Sequence, residues 1–363
     1  MFSGKRIRQA RELRALTQIE LAKRVGVTQA AVAYIEKDFK QPSPELIAKI
    51  ATQTRFPLAF FSFDTPIEFP PDSLQFRCHA SLTKREISAA RRYAEMAYEF
   101  VELCMAQLTQ IPLTLPKCPR EPDIAARQVR AALKLPPDDP IPNLIHVVER
   151  MGVLVLVLPD SSIRLDAFSL WVGPNSTIPI ITISKDKPGD RCRYSVAHDL
   201  GHLAMLHPNR FRAEEEREAG RFAAELLLPE KAMRREILPP VTLSSIAVLK
   251  PRWGVSVQAL VRRAYELNII SERQYRYLFE QISSKGWRKR EPSNLDIPQE
   301  KPRALRQMAE LVYGNPIKED QLAADMRVDV VFVRELLDCY AQGLPPQDKK
   351  TSTLTKVIQL KRF

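Results

Sequence analysis

Leu16-Thr17-Gln18-Ile19-Glu20-Leu21-Ala22-Lys23-Arg24-Val25-Gly26-Val27-Thr28-Gln29-Ala30-Ala31-Val32 is the stretch from which the fold of the amino-terminal region follows. Thr17 stands as an N-cap with Glu20 three positions on, the signature of a capping box that starts a helix. Gly26 ends that helix, and Thr28 caps the next, which the spacing predicts over residues 29–36. Two helices joined by a tight turn form a helix-turn-helix unit, whose second helix enters the major groove of DNA. Working outward, Arg6 to Leu13 carries apolar positions at helical spacing. After Pro42-Ser43-Pro44 a further helix runs through Ile47, Ile50 and Ala51. Residues 1–60 therefore read as five short helices.

Charge supports a nucleic-acid role for this segment. Residues 1–60 hold eleven Lys and Arg against five Asp and Glu, or +6 of the chain's formal +12. The run Leu16-Thr17-Gln18-x-Glu20-Leu21-Ala22, then Gly26-Val27-Thr28-Gln29-x-x-Val32-x-x-Ile35-Glu36, resembles the XRE (Cro and phage-repressor) DNA-binding domains. By that resemblance Gln18 contacts the DNA backbone, Thr28, Gln29, Ala31 and Tyr34 face DNA, and Lys37 joins the DNA-binding set. The Gln29 amide suits adenine N6 and N7 as a bidentate partner. Ala30 and Ala31 replace longer polar residues, which thins direct readout. One such domain binds half a site, so the resemblance implies a homodimer on a double-stranded operator. A plain interaction module built on the same helices is the alternative.

The whole chain has 363 residues, 27% charged and 45% hydrophobic, enough for two or three domains with cores of their own. Eleven glycines against 29 prolines favour stiff turns over flexible linkers. Neither G-x-G-x-x-G nor a Walker lysine motif occurs, which excludes the familiar nucleotide-binding loops. The first residues are basic and lack a secretory apolar region, and no apolar run reaches 18 residues, so the expectation is a soluble cytoplasmic protein with no membrane partner. The five cysteines (Cys78, Cys104, Cys118, Cys192, Cys339) are scattered without C-x-x-C, which points to free thiols rather than a disulfide scaffold.

Pro57 to Pro71 is rich in proline and phenylalanine and reads as a stiff connector. Residues 84–110 have helical periodicity and read as a long helix bridging the DNA-binding part to the rest, with a dimer seam as the alternative. Residues 123–135 and 141–151 read as helices. Residues 153–158, 167–172 and 178–184 read as strands. A small sheet followed by helices is an α+β layout.

The histidines carry the chemistry. Three fall within ten residues, in Ala197-His198-Asp199-Leu200-Gly201-His202-Leu203-Ala204-Met205-Leu206-His207. His198 and His202 are four apart, so on a helix both imidazoles stand on one face, as a shared tetrahedral zinc requires. His207 is five beyond His202 and off that face unless the helix breaks. Met205 and Pro208 exclude a third histidine in the Gly-x-x-His layout. The remaining donors are carboxylates of a helix predicted over 213–228, with Glu214, Glu215, Glu216, Glu218 and Glu225 available; Glu214, Glu218 and Glu225 share one face, and any of them could close a His-His-Glu site. His79 and His146 stand alone and read as structural.

Together with Glu216-Arg217-Glu218-Ala219-x-x-Phe222-Ala223-Ala224-Glu225-Leu226-Leu227-Leu228-Pro229, this run resembles the ImmA/IrrE metallopeptidases. Asp166-Ala167-Phe168-Ser169, Gly189-Asp190-Arg191-x-Arg193, Leu249-Lys250-x-x-Trp253-Gly254-Val255-Ser256 and Gly286-Trp287-Arg288-x-x-Glu291-Pro292 match its repressor-fused members. The resemblance implies zinc held by His198, His202 and Glu218, with Glu225 as the fallback, and cleavage of a repressor or antitoxin-like protein after stress or prophage induction. One position departs from it. The family carries His-Glu-x-x-His, the glutamate being the general base, and this chain has Asp199. Aspartate is one methylene shorter, which withdraws its oxygens by about 1.5 Å. A misplacement of about 1 Å costs on the order of a hundredfold in rate. Two readings follow: a zinc endopeptidase with Asp199 as its base, or a non-hydrolytic regulator whose zinc domain is a sensor or protein-binding module.

The carboxy-terminal third repeats the helix, turn, capped-helix pattern at residues 246–265 and 320–337. Neither copy has a basic recognition face, so both read as packing pairs. Residues 346–363 read as a basic tail. The expected organisation is a helix-turn-helix domain over 1–62, a proline-rich connector with linking helices over 63–135, a zincin-like domain over 136–292 and a helical extension over 293–363. The fold class is α+β, predominantly helical, with a small sheet and an HxxxH helix in the second domain.

Overall fold

Local capping sets the amino-terminal helices. In a computed structural model of the chain the described residues are 1–62, 66–69, 83–108, 112–159, 167–173, 176–185, 187–207 and 212–342. His79, Cys78 and the basic tail lie outside them. Ser3 caps α1 (Gly4–Leu13), and Thr17 with Glu20 forms the capping box of α2 (Gln18–Val25). Gly26, at φ 77°, takes the left-handed conformation that closes α2 and that glycine adopts without strain. Thr28 caps α3 (Gln29–Glu36), Ser43 caps α4 (Pro44–Thr54), and α5 (Leu58–Phe61) completes the five.

The contacts divide the chain into two compact units. One holds the described residues within 1–111, 156–165 and 302–363; the other holds those within 112–155 and 166–301. In the first unit α6 (Lys84–Met105) is neither a bridge nor an open seam. It packs on α1 and buries Ala90, Ala94, Ala97, Phe100 and Val101 completely, so it is a core helix of this unit. The periodic stripe understated its burial because Arg92 and Glu95, polar by sequence, are buried too. Arg92 donates to Glu12 at 2.7 Å and to Glu95 at 2.8 Å, which compensates both charges. The expected connector contributes to the core as well: Phe60, Phe61 and Phe69 are all buried.

The second unit begins with α7 (Pro122–Ala132) and α8 (Leu144–Arg150). The chain then forms β1 (Leu154–Leu158), β2 (Ala167–Val172) and β3 (Ile178–Ser184), a three-stranded sheet in the order β1-β3-β2. The boundary between the units falls inside β1. β2 and β3 are antiparallel, with Ala167 opposite Ile183 and Val172 opposite Ile178. Against them lies α9 (Gly189–Ala204), and α10 (Ala213–Leu227) packs on both α9 and α7. Shorter helices follow: α11 (Glu230–Glu236), α12 (Leu243–Ala247), α13 (Lys250–Trp253), α14 (Val257–Glu266) and α15 (Glu272–Ser284). Lys250, 2% exposed, donates to Asp190 and Glu291 at 2.7 Å each and so joins three segments of this unit.

The chain ends its described part in the first unit with α16 (Ala304–Tyr313), α17 (Glu319–Met326) and α18 (Val330–Leu337). Phe332 of α18 sits against Phe56 and Tyr93 at ring distances of 6.1 and 5.9 Å. No helix among the described residues is long and apolar enough to cross a membrane.

Candidate functional site

The second unit concentrates its titratable groups where α9 meets α10. The two helices approach closely because α9 presents Gly201: a β-carbon there would lie 2.8 Å from the Phe222 ring. Phe222 is fully buried, and the small residues Ala219 and Ala223 continue the same contact face. That approach brings a carboxylate of α10 to the histidines of α9. His198 Nε2 and His202 Nε2 are 3.2 Å apart. Glu216 Oε2 is 3.2 Å from the first and Glu216 Oε1 is 3.2 Å from the second. All three side chains keep some exposure, 15%, 16% and 26%, so the cluster opens to solvent.

These atoms fit a zinc site. A tetrahedral ion with ligand distances of about 2.0–2.1 Å sets neighbouring ligand atoms about 3.3 Å apart, close to the separations present. The donor set, two imidazole nitrogens and a carboxylate, is also the His₂Glu set of catalytic zinc, which leaves one position open. Among the described residues this is the group of three or more such side chains that converges on one point.

The carboxylate in that cluster is Glu216, not Glu218 as the resemblance assigned. Grouping 214, 218 and 225 on one helical face passed over it. What matters is the rotation of α10 against α9, and Glu216 lies three residues before Ala219, on the side turned to α9. Glu218 stands instead beside His207, its Oε2 2.9 Å from Nε2 but without the alignment of a hydrogen bond. Glu225, the fallback, is buried against Arg263 and takes the backbone amide of Glu230 at 3.2 Å. Burial holds its carboxyl above the usual range despite Arg263 and Arg127.

Asp199 has no exposed surface, and its Oδ1 accepts a hydrogen bond from Ser169 Oγ on β2 at 2.8 Å. It is outside the three-residue cluster. His207 pairs through Nδ1 with His202 Nδ1 at 2.9 Å. Burial, then the neighbouring His202 and Arg120, push His207 down to about 4, so it is neutral at physiological pH. Residue spacing offers Glu216 only as one of five available carboxylates, off the face shared by Glu214, Glu218 and Glu225, and does not mark Ser169 as part of the site. The signal available for Glu216 was the run of small residues Ala219, Gly220 and Ala223, which marks the face where a helix approaches another.

The helix-turn-helix face belongs to the first unit. α3 buries Val32, Ile35 and Glu36, and leaves Thr28, Gln29, Ala30, Tyr34 and Lys37 exposed. Ala31 is only half-exposed, on the flank, and Ala30 lies nearer the centre of the outward face. Thr28 spends its oxygen on the cap, accepting from the Ala31 amide at 3.2 Å. Gln18, half-exposed at the start of α2, donates to Glu36 at 2.7 Å and accepts from Gln29 at 2.8 Å. Tyr34 is 56% exposed. The charge count needs correction in one respect: Arg6 and Arg11 are buried in pairs with Glu99 and Glu36. The exposed cations of this region are led by Lys23, Arg24, Lys37, Lys40, Lys49 and Arg55. Lys23, Arg24 and Lys49 line a shared concavity of about 480 Å³.

Comparison with known proteins agrees with this division. Residues 7–61 match the helix-turn-helix family, and residues 148–265 match the IrrE N-terminal-like domain of the M78 peptidases. No curated protein matches the chain. A crystal structure of Bacillus thuringiensis PlcR in complex with the peptide PapR7 and DNA aligns over 93% of this chain and 95% of that one. Its identity is 10% and its TM-score 0.16, too low to bear on the fold. The chain thus combines an XRE-type helix-turn-helix domain with an IrrE-like, peptidase-type domain, the make-up of a transcriptional regulator.

Proposed function

We propose that this regulator binds a double-stranded operator as a homodimer and carries a zinc endopeptidase that cleaves a repressor- or antitoxin-like protein in the cytoplasm. The observation that carries the enzymatic part is the convergence of His198, His202 and Glu216 within 3.2 Å contacts. A zinc ion held by these residues would supply Lewis-acid polarisation of a carbonyl and acidification of water. The chain's own residues provide the remainder. His198 and His202 turn their Nε2 atoms to one point, and Glu216 closes the set from α10. Asp199 occupies the general-base position of the motif, with Ser169 holding its Oδ1. The partial exposure of the cluster leaves it accessible from solvent.

A non-hydrolytic regulator, its zinc domain serving as a sensor or protein-binding module, is the second reading. It is favoured by Asp199 itself, which is shorter than the usual glutamate and fully buried. Metal analysis of protein purified without chelators decides the shared premise: about one zinc per chain is expected, and none would remove it. Cleavage assays then compare wild type, Asp199→Glu and the metal-ligand blank His202→Ala on repressors encoded in neighbouring operons. Cleavage by wild type supports the peptidase. Cleavage by Asp199→Glu alone supports the regulator without hydrolysis. Sedimentation at micromolar concentration tests the dimer, which follows from one helix-turn-helix unit covering half a site.

A further inference from the structure

Helix α9 does not run on past its second histidine. It ends at Ala204 with Met205 as its C-cap, and Leu206 takes φ 52°, a left-handed conformation that side-chain-bearing residues seldom adopt. The His207 amide donates to the His202 carbonyl at 3.0 Å and the Leu206 amide to the Leu203 carbonyl at 3.3 Å, the paired bonds of a Schellman turn. This reversal carries His207 back behind His202. Its side chain has no exposed surface, and its ring meets that of His202 edge-on, at 76° and 5.0 Å.

The two rings touch through Nδ1 at 2.9 Å, while His202 Nε2 faces the cluster with His198 and Glu216. An imidazole that offers its Nε2 lone pair to a metal carries its proton on Nδ1. Only one proton fits between two Nδ1 atoms at that distance. His202 therefore donates and His207 accepts, which leaves the proton of a neutral His207 on Nε2. That nitrogen stands 2.9 Å from Glu218 Oε2, a charge contact without hydrogen-bond alignment, and neither atom has a hydrogen-bond partner. His202 and His207 thus form a pair of fixed sense, with the Glu218 carboxylate placed beside the far nitrogen of His207.

We propose that His207, backed by Glu218, is a positioning residue that fixes the tautomer and ring orientation of His202 for metal binding. Partners behind metal-bound histidines commonly strengthen binding 10- to 100-fold. The inference rests on the zinc reading above and gives Glu218 a role behind the site in place of ligation.

The test measures zinc affinity of the full chain by competition with a chromophoric chelator, and the d–d absorption of the cobalt(II)-loaded protein. His207→Leu, which removes the acceptor, is expected to bind zinc about 10- to 100-fold more weakly and to shift the cobalt spectrum. His207→Asn places an amide oxygen near the Nδ1 position and is expected to retain wild-type affinity and spectrum. Glu218→Ala, at a partly exposed position, is expected to weaken binding by about tenfold, well short of the loss in Glu216→Gln. Wild-type affinity and spectrum in either His207→Leu or Glu218→Ala would overturn the inference. So would a Glu218→Ala loss equal to that of Glu216→Gln, which would make Glu218 a ligand. A wild-type chain that takes up no zinc would instead defeat the underlying metal reading.

Discussion

Gln29 Nε2 donates to Gln18 Oε1 at 2.8 Å, and this one bond decides how the recognition helix presents its amide. Gln18 is itself oriented, because its Nε2 donates to the Glu36 carboxylate, which can only accept. Glu36 is held in turn by the buried Arg11, through bonds of 2.5 and 2.9 Å. The chain of partners runs from the core of the helical pack to its surface. It leaves Gln29 with its Oε1 and one N–H for a base edge, the pair that adenine N7 and N6 require.

Gln29→Ala should therefore relax preference at one A·T position of the bound sequence, by about 1–3 kcal/mol of discrimination. Gln18→Ala should blur the same position by freeing the Gln29 amide. Lys23→Ala and Lys49→Ala should instead weaken all sequences alike and lower the salt dependence of binding. Site selection from a random duplex library, followed by competition with single-base variants, checks this. An unchanged preference in Gln29→Ala would exclude it as a reader.

Gly201→Ala tests the approach of α9 to α10. The added β-carbon would stand 2.8 to 3.2 Å from three atoms of the buried Phe222 side chain. Overpacking of this kind costs about 1–3 kcal/mol, and it would push α10, with Glu216, away from the histidines. The expected result is a lower unfolding midpoint in denaturant together with weaker zinc binding. Loss of stability with unchanged zinc affinity would separate the helix packing from the metal cluster.

The same pair explains what could and could not be read in advance. Thr17, Glu20, Gly26 and Thr28 set helix ends through neighbours three or four residues away, so the amino-terminal helices were legible as local chemistry. His198 and His202 share a helix, and their spacing alone places both rings on one face. Glu216 reaches them only through the rotation of α10 on α9, which Gly201 and Phe222 set by contact across the two helices. Arg92 and Glu12 are 80 residues apart, so the pairing that lets α6 be buried with its charges left no local trace.

Lys250→Met addresses a buried charge cluster in the second unit. The ammonium lies between Asp190 and Glu291, with Lys250 only 2% exposed. Removing it leaves two buried carboxylates facing one another, and breaking such a cluster costs about 3–5 kcal/mol. Burial alone would lower the Lys250 pKa, but the two carboxylates outweigh it and raise the value above its ordinary one. The stabilisation is thus complete at neutral pH and is lost only as pH climbs through the raised value. Lys250→Met should be strongly destabilised at pH 7 in chemical unfolding. A wild-type midpoint there would mean that the cluster contributes nothing net.

Glu12 gives the opposite dependence in the first unit. It joins α1 to α6 by accepting from Arg92 at 2.7 Å, and it accepts from Arg8 at 2.8 Å. Burial would raise its carboxyl, but the Arg8 hydrogen bond and the Arg92 charge overcome that and hold it below the ordinary value. Between the two pKa values the unfolded chain binds more protons than the folded one, so stability falls as pH is lowered through that interval. The contribution is complete above the usual carboxylate range and is lost as pH drops through the lowered value. Glu12→Gln should therefore lose on the order of 3 kcal/mol at pH 7, the cost of stripping one partner from a buried pair. The gap from wild type should narrow steadily as both proteins are unfolded at lower pH, below 4.5. A gap that stays constant across this range would assign the effect of Glu12 to packing rather than charge.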